Sequence, residues 1–525
     1  MTYTQQADRS DAEAPGRPSA SPLRLLKGIA VGAWSQHRDL LRNAGSLLAT
    51  TGVTSILGAA YWTVSARFFA QQSVGYAAVE IPAMTLLGTI GMLGLGTLLV
   101  GELPKSKNRA ELASAALLTC AAGSLVLGVG FALLAPHFNE RFAAILGPLD
   151  QKALFVLGAM LTSVSMVLDM ATIGVMRGGI QLARNLAFSV IKLAILPVFA
   201  VTLHDALGFG IVFSWIIGIG ASLLLIVARN GISRGRSLAT PDWTRLRQLA
   251  RIAMAHNWLE IAITAPPAVF PVLVTLLVSP AANAAFYVAY TLSTFIYMVP
   301  SHMSTVLFAI AAAEPEAIAH RVRFAGKLSY AIGLPVVAVL ALGSHWILSI
   351  YGPGYARIAT IPMSLIALGY IPSVPKALYI AICRAQGRTT FVATLLTVFT
   401  IIEIGGALVG GIFGGLTGLS LAILLVLTAQ GLSITPSILR VILPRRGLAP
   451  SGPPVGVGEV SAPAATADAL APAIPVSYLA GPRESQALDL AVLARNQKQQ
   501  DAGIRALIEL AQSLTTTGGF PRLEE

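Results

Sequence analysis

Charged side chains are scarce in this sequence. Asp, Glu, Lys and Arg together make up only 11% of its 525 residues, whereas hydrophobic residues make up 55%. A soluble protein carries about 25% charged residues, so the composition excludes an ordinary soluble protein and indicates a polytopic membrane protein. The net charge of +12 does not require a nucleic-acid partner, because basic residues collect in the cytoplasmic loops of membrane proteins.

Cysteines are scarce as well, and signatures of catalysis are missing. The two cysteines, Cys120 and Cys383, fall in apolar runs on different predicted helices, so we expect reduced core residues and no disulfide. The sequence has no paired metal-ligand motif, no Walker-type phosphate loop and no GxSxG motif. We therefore expect no metal, no cofactor and no catalytic residue, and we do not expect an enzyme.

Long apolar runs, by contrast, are abundant. A helix needs about 20 apolar residues to cross a bilayer, and we count twelve such runs. They lie near residues 44–66, 76–101, 110–134, 153–175, 183–203, 207–228, 252–278, 283–309, 327–349, 359–382, 389–411 and 416–438. Lys and Arg concentrate in every second loop, which predicts a multi-pass protein of the plasma membrane with both termini in the cytoplasm.

The sequence consists of two related halves. NAGSLLATTGV from Asn43 corresponds to NWLEIAITAPP from Asn257, and Arg177–Gly178–Gly179 corresponds to the segment at Arg384, with an offset that stays between 207 and 214 residues. Six spans per half is an even number, so both halves share one orientation. We therefore predict an all-α protein whose twelve helices form two pseudo-twofold-related six-helix lobes around a central cavity.

This division sets the predicted domains. They are a cytoplasmic N-terminal segment (1–43), disordered and then basic and amphipathic; the first lobe (44–228); a basic cytoplasmic loop between the lobes (229–251); the second lobe (252–438); a Pro/Ala-rich cytoplasmic linker (439–482); and a cytoplasmic tail with a helical pattern (483–525).

A charge inside a membrane span costs roughly 2.5–3.5 kcal/mol, so such residues usually face a cavity or a partner. Asp169 and Lys376 occupy equivalent positions in spans four and ten, each eight residues before an arginine, Arg177 or Arg384, at the cytoplasmic end. Asp169 and Lys376 either pair with each other in one state or meet different groups of a ligand. The alternative for each is a static ion pair that fixes helix packing.

Span five carries two further cations. Lys192 lies near its middle and Arg184 lies eight residues earlier, a pattern that is suited to an anionic substrate. The alternative for Lys192 is an ion pair with Asp169 on the neighbouring span.

The remaining candidates are in spans two, seven and eleven. Asn257 and Glu260 either contact substrate or cap the first turns of span seven. Glu403 and Glu80 are candidates for binding a coupling proton or ion, although Glu80, near the outer end of span two, has the alternative of snorkelling or pairing with Arg67.

Proline positions predict where helices are interrupted. Pro266–Pro267, Pro300, Pro372 and Pro375 lie in spans seven, eight and ten. We expect them to break or bend these helices and provide hinges for alternating access.

Several stretches carry a family resemblance. NAGSLLATTGV with AAYWTVSARFFAQQSVGYA, LGLGTLLVGELPK, LVSPAANAAFYVAYTLSTFIYMVPSHMSTVLFA and IYGPGYA resemble the Wzx-like polysaccharide-biosynthesis (oligosaccharide flippase) branch of the MOP exporter superfamily. The resemblance covers about residues 40–440 and implies a V-shaped bundle that moves polyprenyl-linked oligosaccharides across the cytoplasmic membrane by alternating access. It also implies membrane lipid as a partner and a cationic cavity lining. The cations available for that lining are Arg67, Arg177, Arg184, Lys192, Lys376 and Arg384, and the carboxylates Asp169, Glu260 and Glu403 dilute it.

Three other functions stay open. A drug antiporter of the same superfamily typically has an ion-binding carboxylate in its first helix, and residues 44–66 contain none. A lipid II flippase usually has two extra helices, which the polar region after residue 440 does not supply. A membrane scaffold would dock glycan polymerases or glycosyltransferases through the tail at 483–515, but would not need repeat-related charges inside the membrane.

Overall fold

The computed structural model describes residues 38–175, 178–203, 207–231, 240–313, 318–386 and 388–442. Most of the predicted N-terminal segment, most of the linker and the whole tail lie outside these residues. Every regular element within these ranges is a helix, which confirms the all-α fold class.

The first half contains eight helices in the described ranges. They are α1 (Arg38–Phe68), α2 (Gln71–Gly91), α3 (Leu95–Glu102), α4 (Arg109–Phe138), α5 (Glu140–Leu146), α6 (Leu149–Gly174), α7 (Gly178–Thr202) and α8 (Phe209–Gly231). Helices α2 and α3 together form span two, and the short α5 joins spans three and four.

The second half repeats this order. Its helices are α9 (Trp243–Leu277), α10 (Pro280–Thr294), a 3-10 turn (Phe295–Tyr297), α11 (Met298–Ala313), α12 (Ile318–Leu342), α13 (Ser344–Ser349), α14 (Pro353–Leu368), α15 (Tyr370–Ala385) and α16 (Thr389–Ile442). Gly415 has non-helical angles (φ 55°, ψ −141°) and divides α16 into spans eleven and twelve.

The predicted twelve spans are confirmed in the part of the chain that the structure describes. Ten segments are long and apolar enough to cross a membrane. The last of them contains two spans, and the 31-residue, less apolar α1 occupies the place of the predicted first span. The terms inner and outer below denote the cytoplasmic and opposite sides that the loop charges predict, and this orientation stays a prediction.

The two lobes share irregularities as well as helices. In each half the second span is interrupted, and a short helix, α5 or α13, precedes the fourth span. Span eight is interrupted at the 3-10 turn and span ten at Gly369. These breaks lie about one turn before Pro300 and Pro372, because a proline ring clashes with the carbonyl four residues earlier.

Span seven differs in two respects from what the sequence suggested. Helix α9 continues through Pro266 and Pro267, so of the two predicted effects, a break or a bend, these prolines do not cause a break. The helix also begins early, at Trp243, because the Asp242 side chain accepts a hydrogen bond from the Arg245 amide at 2.9 Å and caps the first turn. Residues 243–251 of the predicted loop are therefore helical, and Asn257 and Glu260 lie well inside the helix instead of capping it.

Span two joins the lobes near both of its ends. At the outer end, Asn283 Nδ2 donates to the Gly75 carbonyl at 2.8 Å, and a Cβ atom on Gly75 would overlap the carbonyl oxygen of Pro280. At the inner end, Asn257 Nδ2 donates to the Ile90 carbonyl at 3.3 Å, and a Cβ on Gly94 would overlap a carbonyl of α9. Glycine is therefore required for this close approach.

The outer side of the molecule is closed between the lobes. Side chains from both lobes form one buried core there, with Tyr61 and Trp62 on α1 and Tyr355 on α14. Arg67 Nε donates to the Ile350 carbonyl at 2.7 Å, and the Arg141 guanidinium donates to the carbonyl of Thr275. These bonds cross from one lobe to the other.

Candidate functional site

The first charged cluster lies inside the first lobe, between α6 and α7. Arg184 donates to both carboxylate oxygens of Asp169, from Nε at 2.7 Å and from Nη2 at 2.5 Å. The Asn185 amide donates to the same carboxylate at 3.4 Å. Only 4% of the Arg184 side chain and 14% of the Asp169 side chain are exposed. This is a buried, bidentate ion pair of the strong kind.

Lys192 does not pair with Asp169, contrary to one of the two predictions for it. Its ammonium lies 3.6 Å from the ring centre of Trp215, 4.2 Å from that of Phe188 and 4.7 Å from that of Tyr61. These rings form an aromatic cage that stabilises the cation through cation–π attraction. Among the described residues no carboxylate hydrogen-bonds or pairs with Lys192.

The cage adjoins a polar cavity of about 210 Å³ in the first lobe. Asp169, Arg184, Asn185, Phe188 and Trp215 line it together with hydroxyl side chains from α2 and α6. One of these, the buried Thr162 Oγ1, has no hydrogen-bond partner. Buried polar atoms are almost always bonded, so this cavity is built to hold polar groups, either water or a ligand.

The second charged cluster lies inside the second lobe. Lys376 Nζ donates to Gln430 Oε1 at 3.0 Å and lies 3.9 Å from Glu403 Oε2. Gln430 in turn donates to the Phe399 carbonyl at 3.3 Å. The Glu403 side chain is 7% exposed and the Lys376 side chain 24% exposed, so the lysine is the more accessible member of the pair.

The two clusters occupy matching positions with opposite charges. Lys192 lies fourteen residues after the start of α7 at Gly178, and Glu403 lies fourteen residues after the start of α16 at Thr389. Asp169 corresponds in the same way to Lys376. Asp169 and Lys376 do not pair with each other in this structure, because each has a partner in its own lobe.

The other predicted site residues lie elsewhere. Asn257 belongs to the contact between the lobes, and Glu260 Oε1 lies 3.5 Å from Thr97 Oγ1 at the same contact. Arg177 lies outside the described residues. Arg384 belongs to α15, but its side chain is outside the description.

Glu80 neither snorkels nor pairs with Arg67. Helix α2 begins at Gln71, which places Glu80 more than two turns inside it, and the residue is only 7% exposed. No described side chain bonds to it, and Arg67 is bonded to the Ile350 carbonyl instead.

The two clusters were predicted from their charged residues alone, so their neutral members were missed. Asn185, Gln430 and the cage rings were not predicted. The available signals were Gln430 as a polar residue within an apolar run and Trp215 at the centre of another. In the described ranges no group of three or more His, Cys, Asp or Glu side chains is arranged to hold a metal ion.

This architecture has known counterparts among solved structures. No protein-family model and no curated protein matches the chain. The structure is similar to that of a multidrug resistance MATE family transporter of the MOP superfamily in its inward-facing conformation, with 14% identity, a TM-score of 0.60, and coverage of 74% of this chain and 94% of that chain. For an outward-facing structure of such a transporter the identity is 14%, the TM-score 0.54 and the coverage 77% and 95%.

A third similar structure is that of a MOP superfamily transporter from Pyrococcus furiosus, described as having a reverse polarity of its binding pocket that suggests a different function. It is 12% identical, with a TM-score of 0.54 and coverage of 77% of this chain and 95% of that chain. At these identities the likeness establishes the fold alone. The protein thus has the helices of a multi-pass membrane protein and the fold that these MOP superfamily structures share.

Proposed function

We propose that the protein moves polyprenyl-pyrophosphate-linked oligosaccharides across the cytoplasmic membrane by alternating access, for cell-envelope glycan assembly. The observation that carries this proposal is Lys192. A cation buried in the membrane without a carboxylate is costly, and the aromatic cage offsets only part of that cost. Lys192 therefore remains available to an anionic group, such as a phosphate or an acidic sugar.

The neighbouring polar groups suit the rest of such a substrate. Glycan hydroxyls cannot enter a hydrocarbon environment without hydrogen-bond partners. The first-lobe cavity offers Asn185 and the unpartnered Thr162 hydroxyl, and the second lobe offers Lys376. On sequence grounds Arg177 and Arg384 extend this path to the cytoplasmic mouth. The lipid tail would stay in the bilayer. The substrate crosses unchanged, so no covalent bond is made or broken.

The charge of this substrate supplies a driving force. Moving one elementary charge across the membrane potential changes its energy by about 2.3 kcal/mol per 100 mV, and an anion leaving a negative interior moves downhill. Glu80 and Glu403 are the proposed positions for a coupling proton or cation, because both carboxyls are buried.

The decisive experiment uses a strain that lacks this protein. Lipid-linked oligosaccharides are extracted, and the membrane face on which they accumulate is determined. We expect accumulation on the cytoplasmic face, rescued by the wild type but not by Lys192→Met. Lys105→Met is the matched control, because this lysine lies at the surface with its side chain 49% exposed and its loss should leave rescue intact.

The other outcomes are equally informative. No accumulation in the deletion strain would reject the flippase. Accumulation of lipid II alone would reassign the substrate. Full rescue by Lys192→Met would keep the flippase and remove Lys192 from its substrate path.

A MATE-type drug antiporter is the second candidate. The observation that favours it is the first-lobe cavity, which combines the aromatic walls Phe188 and Trp215 with the carboxylate of Asp169 and so suits a cationic aromatic compound. Under this function, deletion would lower resistance to cationic drugs without any change in lipid-linked oligosaccharides. Drug susceptibility measured in the same strain separates the two functions.

A further inference from the structure

A second cavity, of about 380 Å³, lies in the first lobe, between α4 and α6. Its walls include Val129 and Leu133 from α4 and Leu157 from α6. Leu133 is 54% exposed and Leu157 is 41% exposed, so the cavity opens sideways, toward the region that lipid occupies. We call it the lateral groove.

Small residues between the two helices create the lateral groove. Ala132 on α4 and Ala153 on α6 line it and leave a trough between the larger leucine side chains. The lining from Lys152 to Met160 extends about 12 Å along α6 at 1.5 Å per residue, within the outer half of the membrane.

One charged side chain interrupts this apolar lining. Lys152 lies in the first turn of α6, at the outer end of the groove. No hydrogen bond or ion pair joins its side-chain ammonium to any residue that the structure describes. Asp150 is in the same turn, but it is two positions away and so lies on a different side of the helix.

The groove and the lysine together match the two parts of one molecule. We propose that the lateral groove binds an anionic phospholipid, with an acyl chain in the trough and the phosphate against Lys152. The apolar trough alone would not select a lipid, because every membrane lipid has such a chain. The lysine supplies the selection, and it lies at the level where the head groups begin. This inference does not depend on what the protein transports.

The experiment uses the full-length protein reconstituted with equal amounts of phosphatidylglycerol and phosphatidylethanolamine, followed by native mass spectrometry of the retained lipid. One lysine near the surface favours an anionic lipid by about fivefold, so phosphatidylglycerol should be retained preferentially to about that extent. Lys152→Glu should abolish the preference. Ala153→Trp should fill the trough and lower the retention of both lipids.

Matched controls lie on the same protein. Val126→Trp adds the same side chain at a position on α4 that is 69% exposed and outside the groove, and Arg357→Glu reverses a charge at the corresponding outer end of the second lobe. Neither should change the preference. Equal retention of both lipids by the wild type, or an unchanged preference in Lys152→Glu, would overturn the proposal. Displacement of phosphatidylglycerol by equimolar undecaprenyl phosphate would overturn the proposal in favour of that polyprenyl lipid. A dimer mass without lipid would overturn it in favour of a second copy of the chain.

Discussion

The two lobes hold their buried charges in opposite order. In the first lobe the acid is on span four and its base is on span five, as Asp169 and Arg184. In the second lobe the base is on span ten and its acid is on span eleven, as Lys376 and Glu403. The order of acid and base is inverted, but of these four residues only Asp169 and Lys376 are related by the repeat, because the counterpart of Glu403 is Lys192 and not Arg184.

The lobes also differ in how tightly the charges are held. Arg184 and Asp169 share two bonds of 2.5–2.7 Å, whereas Lys376 and Glu403 approach only to 3.9 Å and Lys376 donates its hydrogen bond to the neutral Gln430 instead. The first lobe moreover has a second cation, Lys192, which pairs with no acid among the residues that the structure describes. One lobe thus combines a fixed pair with a spare cation, and the other has a single loose pair.

Among the changes that test this difference between the lobes, Arg184→Ala should lower the stability of the protein most. This change leaves the Asp169 carboxylate buried without its partner, which costs about 3–5 kcal/mol. The midpoint of thermal unfolding of the purified protein measures the loss. The double variant Asp169→Asn with Arg184→Gln removes both charges and should be markedly more stable than the single variant. If the two variants unfold alike, the pair is not the buried ion pair described above.

The lobes also differ in how the second span of each, span two or span eight, is interrupted. In the first lobe the interruption contains Leu93 (φ 52°) and Gly94 (φ 72°), whereas the second lobe has a 3-10 turn at the corresponding place. Gly94→Ala adds left-handed strain and a clash with α9, at a cost of about 2–4 kcal/mol. Gly101→Ala is the control, because its Cβ meets nothing within 4 Å, and it should stabilise by about 0.5–1 kcal/mol. Equal midpoints for these two variants would contradict the close contact at Gly94.

Sequence reasoning recovered the features that depend on local pattern. The twelve spans follow from hydropathy, and the two lobes follow from the repeat. The interruptions of spans eight and ten lie close to Pro300 and Pro372, as predicted. The interruption of span two has no proline beside it and arises from the conformations of Leu93 and Gly94, for which the sequence offers only the weak signal of closely spaced glycines.

The sequence did not predict which residues pair with the buried charged side chains. Asp169 had several cations near its level, and only the packing of α6 against α7 selects Arg184 and directs Lys192 toward aromatic rings. The early start of α9 likewise depends on a cap at Asp242 within a stretch that the arginines marked as a loop. Pairing is decided by which helix faces meet, and one sequence contains little information about that.

The looser pair should be the easier one to break. Glu403→Gln removes a carboxylate that lies 3.9 Å from its lysine, and Gln430 still accepts a bond from Lys376. We expect a loss of about 1–2 kcal/mol, smaller than the loss caused by Asp169→Asn measured under the same conditions. Equal losses in the two variants would remove the distinction between a tight and a loose lobe.

The spare cation provides the smallest effect on stability and the sharpest test of its role. Lys192→Met keeps the length of the side chain and its contact with Trp215, and it removes a buried charge that has no carboxylate partner. Replacing buried charges by well-packed apolar residues is often neutral or stabilising. The free energy of unfolding, measured through the unfolding midpoint, should therefore change by no more than about 1 kcal/mol. Lys192→Arg keeps the charge and should retain more transport than Lys192→Met at similar stability. A buried cation that does not add to stability has to be explained by what it binds, and a strongly destabilised Lys192→Met protein would show that the aromatic cage needs its lysine for structure.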